Sequence, residues 1–186
     1  MTKLILIRHG ATDWNTEGRW QGQIDLPLNA TGREQAEQIA SSLSNARVSA
    51  IYSSDLRRAV ETAEALGRLT SLTVQTDPRL REIHQGEWQG LLVKEIKDRY
   101  ADVFQRRREN PLSFASPGGE TGHAVRERVV QVIDQIIHDH PEETVAIVTH
   151  GFTIAVIRAH YEHVPFEKVW DLVPNNAWIH TLEVSY

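Results

Sequence analysis

Two short runs of uninterrupted apolar residues stand out along the chain: Leu4-Ile5-Leu6-Ile7 and Val145-Ala146-Ile147-Val148. Runs of this length without a polar face are the pattern of strands covered on both sides. Ala50-Ile51-Tyr52 reads as another strand, Leu72 to Gln75 as a weaker one, and Trp178 to Val184 as the last. Helical spacing separates them. Thr31 with Glu34 has the form of a capping box ahead of Ala36, Ile39, Ala40 and Leu43 on one face. Ser54 or Asp55 is placed to cap a helix that buries Leu56, Ala59, Ala63 and Leu66. A long helix from about Thr121 to His138 turns Val125, Val129, Val132, Ile133, Ile136 and Ile137 inward, and another spans Phe152 to His160. Gly10 to Asn29 reads as a loop, and Gly86 to Gly119 as short helical pieces ended by Ser116-Pro117-Gly118-Gly119. Strands alternating with helices predict one α/β domain over residues 1–186, with a central, mostly parallel sheet and helices on both faces as a three-layer sandwich.

Composition narrows the function classes. The chain has 186 residues, 40% hydrophobic and 24% charged, as in ordinary globular proteins. A net charge of −5 argues against a nucleic-acid binder with an overall basic surface. The absence of cysteine excludes disulfides, thiolate metal sites and cysteine nucleophiles. No apolar run has the length of a signal or membrane segment, so the expectation is a cytoplasmic chain without membrane partners.

The chemistry is concentrated where the two most apolar strands end. One continues into Arg8-His9-Gly10, the other into Thr149-His150-Gly151. Ligands of open α/β sheets bind beyond the carboxyl ends of the strands, so neighbouring strands would bring both histidines to one crevice. A single histidine at a strand end is commonly structural; two in the same setting leave a choice between a metal site and an anion site. Arg8 decides it, because a guanidinium repels a cation and binds phosphate through a fork of donors. Arg57 and Arg58 fall in the first turn of a helix, where cations oppose the dipole and therefore hint at function. Arg57 is read as solvated.

Arg8-His9-Gly10, Trp14-Asn15, Gln21-Gly22, Ser54-Asp55-Leu56-Arg57-Arg58-Ala59 with Thr62-Ala63, Leu80-Arg81-Glu82 and Thr149-His150-Gly151 follow one another in the order of a known family. Together they resemble the histidine phosphatase superfamily, in particular its phosphoglycerate mutase-like branch, from residue 3 to about 184. The resemblance implies that fold, a phosphoryl-accepting His9, and a pocket completed by Arg8, Arg58 and His150. It further implies that Asn15 adds a side-chain amide, that Gln21 and Gly22 line the edge, and that Glu82 is the proton donor. No metal and no cofactor is implied, since cationic side chains offset the phosphoryl charge. The one departure is Ala11, where the family often has glutamate after Arg-His-Gly.

Mutases of that branch are usually longer over the site and at the C-terminus. Here the segment between Glu82 and Gly119 is modest and the sequence ends at Tyr186, directly after the last strand. Hydrolysis of a small phosphorylated metabolite is therefore expected, with phosphoglycerate mutase or α-ribazole phosphatase activity as alternatives and a homodimer left open. Selectivity is expected from the loop of Trp14 and Trp20 and from the region Trp88 to Phe114. The run Arg106-Arg107-Arg108 is read as a solvated helix face, Glu120 as fixing the start of the next helix, His84 as incidental, and His138-Asp139-His140 as a helix end without chemistry.

Overall fold

The computed structural model describes residues 1–184; Tyr186, on which the reading of an open C-terminal end rests, lies outside them. Five strands form one sheet: β1 (Thr2–Arg8), β2 (Ala50–Ser53), β3 (Val74–Thr76), β4 (Thr144–Thr149) and β5 (Ile179–Val184), in the order β3-β2-β4-β1-β5. All pairings are parallel except that of β5 with β1. The two apolar runs are therefore neighbours at the centre, in a register that sets Arg8 opposite Thr149.

Alternation along these strands assigns each residue to a face. Leu4, Leu6, Val145 and Ile147 pack with the long helix α6 (Gly122–Asp139) and with α7 (Gly151–Tyr161). Ile5, Ile7, Ala146 and Val148 pack on the other side with α2 (Ala30–Ser42) and α3 (Arg57–Thr70). Each fully buried Leu, Ile or Val contributes about 1.5–3 kcal/mol, so a central strand covered on both faces anchors whatever stands at its end. The three-layer, mostly parallel sandwich read from the sequence is the one found. All six inward positions of α6 are buried.

The local corrections concern caps and loops. Asn29, not Thr31, caps α2, its side chain accepting from the Gly32 amide at 2.8 Å. Neither Ser54 nor Asp55 caps α3, whose N-cap is Leu56 without a side-chain bond. Asp55 instead pairs with Arg81 at 2.6 Å, while Ser54 is drawn into the site. The loop after Gly10 holds a short helix, α1 (Asp13–Glu17), with a reciprocal cap between Thr12 and Asn15. The loose region contains α4 (Val93–Arg99) and α5 (Ala101–Glu109). Thr121 caps α6, and Glu120 does not.

Candidate active site

His9 follows the last residue of β1, with its amide bonded to the Thr149 carbonyl at 3.0 Å. His150 follows β4 directly, and the two rings lie 5.1 Å apart, edge to face. Both are buried. The turn after His9 is tight because Gly10 lies against Gly32, and a Cβ on either would enter the other segment's backbone. The Gly10 amide is held by Thr62 Oγ1 at 3.1 Å, so α3 fixes the turn.

The His9 tautomer follows from its neighbours. Nδ1 is 2.7 Å from the Gly10 carbonyl oxygen, which can only accept, so Nδ1 bears the proton. Nε2 then presents its lone pair, and Arg58 Nε donates to it at 3.3 Å. Arg58 is itself anchored through Nη1 to the Ile24 carbonyl at 2.8 Å and Nη2 to the Gly22 carbonyl at 2.7 Å. Gly22 thus serves the site through its carbonyl. Burial, with the Arg58 and Arg8 charges, holds the His9 imidazole well below the usual histidine range.

His150 Nε2 lies 2.8 Å from Ser54 Oγ. That oxygen also accepts from the Leu56 amide at 3.3 Å, and with a second lone pair and its own proton it can pair with Nε2 in either tautomer. His150 Nδ1 and the Arg8 Nε donor are buried nitrogens without a partner among the described residues. Arg8 Nη1 donates to the Pro174 carbonyl. Burial lowers Arg8, and takes Arg58 down to about 10, which still leaves Arg58 charged at neutral pH. A buried guanidinium N–H without an acceptor, beside an uncharged imidazole, offers an anion a place to bind.

Glu82 approaches from the other side. Its carboxylate accepts from the Phe152 amide at 3.1 Å and the Ile83 amide at 2.9 Å, and so occupies the start of α7, where His150 supplies no side-chain cap. The strand-like segment bearing it is clamped by Arg128, which donates to the carbonyls of Arg79, Arg81 and Glu82 and pairs with Glu120 at 3.0 Å. Glu120 also accepts from the His84 amide at 2.7 Å. It secures the Glu82 segment rather than the helix start assigned to it from sequence.

Arg8, His9, Asn15, Gln21, Gly22, Arg58 and Glu82 line one cavity of about 330 Å³; His150 is not among its lining residues and meets the site through the His9 ring, 5.1 Å away. Asn15 spends its Oδ1 on Thr12 and on Asn176, leaving its NH2 group to donate. Asn176, which also donates to the His9 carbonyl at 3.2 Å, was not found from sequence, and neither was Arg128. Both lie far along the chain from the groups they hold. Trp20, Phe152, Trp170, Arg19 and Arg108 complete the cavity wall, while Arg57 is exposed and pairs with Glu61. The arginine run is not a solvated face throughout. Arg107 is 2% exposed, with its guanidinium over the rings of Trp20, Trp88 and Trp170 at 5.1–5.5 Å. Desolvation takes it down to about 10.

A larger cavity of about 760 Å³ between α6, α7 and β5 contains none of these groups. Among the described residues, no cluster of three or more His, Asp or Glu is arranged to hold a metal ion. His140 of the His138-Asp139-His140 run pairs instead with Glu143 at 2.8 Å and with the Tyr52 hydroxyl at 3.0 Å. No helix among the described residues is long and apolar enough to cross a membrane.

Comparison with known proteins finds relatives over most of the chain. Phosphoserine phosphatase 1 of Hydrogenobacter thermophilus is 34% identical over 177 residues, covering 95% of this chain and 84% of that protein. The metal-independent phosphoserine phosphatase of Arabidopsis thaliana is 37% identical over 164 residues, covering 87% and 68%. The structure of mycobacterial glucosyl-3-phosphoglycerate phosphatase complexed with VO3 superposes with a TM-score of 0.92 at 35% identity, covering 99% of this chain and 92% of that one. The description of the histidine phosphatase superfamily (branch 1) matches residues 4–186, and the chain belongs to that family.

Proposed function

We propose that the chain is a phosphatase that hydrolyses monoesters of small phosphorylated metabolites, with His9 as nucleophile and without a metal ion. The observation that carries this reading is the lone pair of His9 Nε2, fixed by the Nδ1–Gly10 bond and surrounded by Arg8, Arg58 and His150. A neutral imidazole is a competent nucleophile at pH 7. Arg8, Arg58, His150 and the Asn15 amide would meet the non-bridging oxygens as charge shifts during in-line transfer.

In the first step Nε2 forms a bond to phosphorus as the ester P–O bond breaks. Glu82 gives its proton to the departing oxygen. In the second step water attacks phosphorus, the Glu82 carboxylate takes the water proton, and the N–P bond breaks to release phosphate and restore His9. What supports both roles is that Glu82 lines the same cavity as His9, with its carboxyl group held by the Phe152 and Ile83 amides.

The relatives' names support hydrolysis, and one of them is called metal-independent. The phosphohistidine route is characteristic of the family. The test is hydrolysis of p-nitrophenyl phosphate in the presence of a chelator, together with rapid acid-free quenching to trap a phosphoryl-protein. Wild type should turn over and form the adduct; His9→Ala should do neither. Activity that survives that substitution or is lost with the chelator overturns the proposal.

A further inference from the structure

Residues 174–178, which lead into β5, lie along the turn that presents His9. The Pro174 carbonyl accepts from Arg8 Nη1, the Trp178 carbonyl accepts from the Arg8 amide at 2.9 Å, and the Ala177 amide donates to the His9 carbonyl at 3.2 Å. Ala177 holds a φ of +59°, a left-handed conformation that a residue with a Cβ adopts only at a cost. Surrounding contacts must outweigh that cost, and these bonds converge on the Arg8-His9-Gly10 turn.

The strained backbone sets the side-chain NH2 group of Asn176 against three oxygens: the His9 carbonyl at 3.2 Å, the Gly10 carbonyl at 3.4 Å and Asn15 Oδ1 at 3.2 Å. Two of these are carbonyls that can only accept, so chemistry fixes the amide with its nitrogen towards the turn. Both carbonyls also have another donor, the Ala177 amide for His9 and the His9 ring for Gly10. Asn15 depends on Asn176 in a different way. Thr12 binds Asn15 Oδ1 through its amide and its hydroxyl, at 3.0 Å each, but Thr12 caps the same short helix and fixes Asn15 only to α1. Asn176 ties that amide to the turn of the nucleophile.

We infer that Asn176 is a positioning residue, which turns the Asn15 NH2 group toward the phosphoryl oxygens and holds it in register with His9. It is not among the residues that line the His9 cavity, and so acts through Asn15, which is. This rests on the phosphatase reading above. The test is a double-mutant cycle, read as kcat/KM for p-nitrophenyl phosphate in wild type, Asn15→Ala, Asn176→Ala and the double variant. Asn176→Ala should lower kcat/KM by about three- to tenfold, as for loss of one hydrogen bond, but by less than about twofold where Asn15 is already alanine. Asn176→Asp keeps the shape but sets a carboxylate oxygen against three acceptors, and should lose more than Asn176→Ala. Asn176→Ser, whose hydroxyl can donate, carries the same cycle where Asn176→Ala does not fold. Losses that multiply in the double variant would leave Asn176 a merely structural hold on the His9 turn and overturn the inference. An unchanged kcat/KM in Asn15→Ala, Asn176→Ala or Asn176→Asp overturns it as well. Each of these outcomes leaves His9-dependent hydrolysis standing; its absence in wild type would overturn the phosphatase reading itself.

Discussion

Arg58 Nε donates to His9 Nε2 across 3.3 Å, so the lone pair offered for attack is held by the same guanidinium that would meet the incoming phosphoryl group. Two backbone carbonyls, of Gly22 and Ile24, fix the far end of that side chain. Arg58→Ala should reduce kcat by about a hundred- to a thousandfold, as for loss of a preorganised donor to a developing charge. Arg58→Lys keeps the charge but not the fork, and should fall between the two. Steady-state kinetics on p-nitrophenyl phosphate decide it; an unchanged kcat in Arg58→Ala would remove Arg58 from the chemistry.

The depressed histidines also make stability depend on pH. His9 and His150 are both held well below their ordinary range by burial and by the neighbouring arginines. Unfolding restores the ordinary value near 6.5, so below it the unfolded chain binds more protons than the folded one. The contribution is complete above about pH 6.5 and is lost as pH falls toward the folded values, by up to about 1.4 kcal/mol per pH unit for each histidine. The thermal unfolding temperature should therefore fall between pH 7 and about pH 5. His150→Asn should flatten that slope, and an equal slope in the variant would contradict the assignment.

The close approach of Gly10 and Gly32 predicts a defect at a distance from the chemistry. A Cβ on Gly32 would enter the Ala11 backbone, which neither segment can easily yield because Gly32 lies in the first turn of α2 and Ala11 follows the His9-Gly10 turn. Gly32→Ala should destabilise the fold by about 1–3 kcal/mol, as other overpacked sites do. It should also lower kcat, because relief of the clash moves Gly10 and with it His9. Denaturant unfolding and kinetics on the one variant check both; a stable, fully active Gly32→Ala would show that the two loops separate freely.

Much of this was legible along the chain because its causes are local. The apolar runs of β1 and β4 carry their own burial pattern, and His9 and His150 are placed by adjacency to them. What escaped depends on contacts between distant segments. Asn29 outcompetes Thr31 as a cap by one hydrogen bond to Gly32, a choice set by where α2 must begin to let Gly32 meet Gly10. Arg128 gives no sequence signal because its partners, the carbonyls of residues 79, 81 and 82, are backbone atoms that any residue would present. Arg107 was misread for a related reason: a run of three arginines looks solvated until tryptophans from three other segments close around the middle one.

Variants of Glu82 and Arg128 can test the proton donation proposed for Glu82 separately from the positioning of its segment. Glu82 lines the cavity, whereas Arg128 does not and holds the carbonyls at residues 79, 81 and 82 together with Glu120. A p-nitrophenolate leaves readily without a proton, but an alkoxide does not. Glu82→Gln should therefore slow an alkyl phosphate by about a hundred- to ten-thousandfold, and p-nitrophenyl phosphate far less. Arg128→Met leaves the carboxyl group in place but frees the segment that bears it, so it should show the same leaving-group dependence in weaker form. Arg58→Ala, in contrast, should slow both substrates alike, since the charge it meets is on the transferred group. Comparing kcat for the two substrates across the three variants tests the division. Equal losses for both substrates in Glu82→Gln would assign Glu82 to phosphate binding instead of proton transfer.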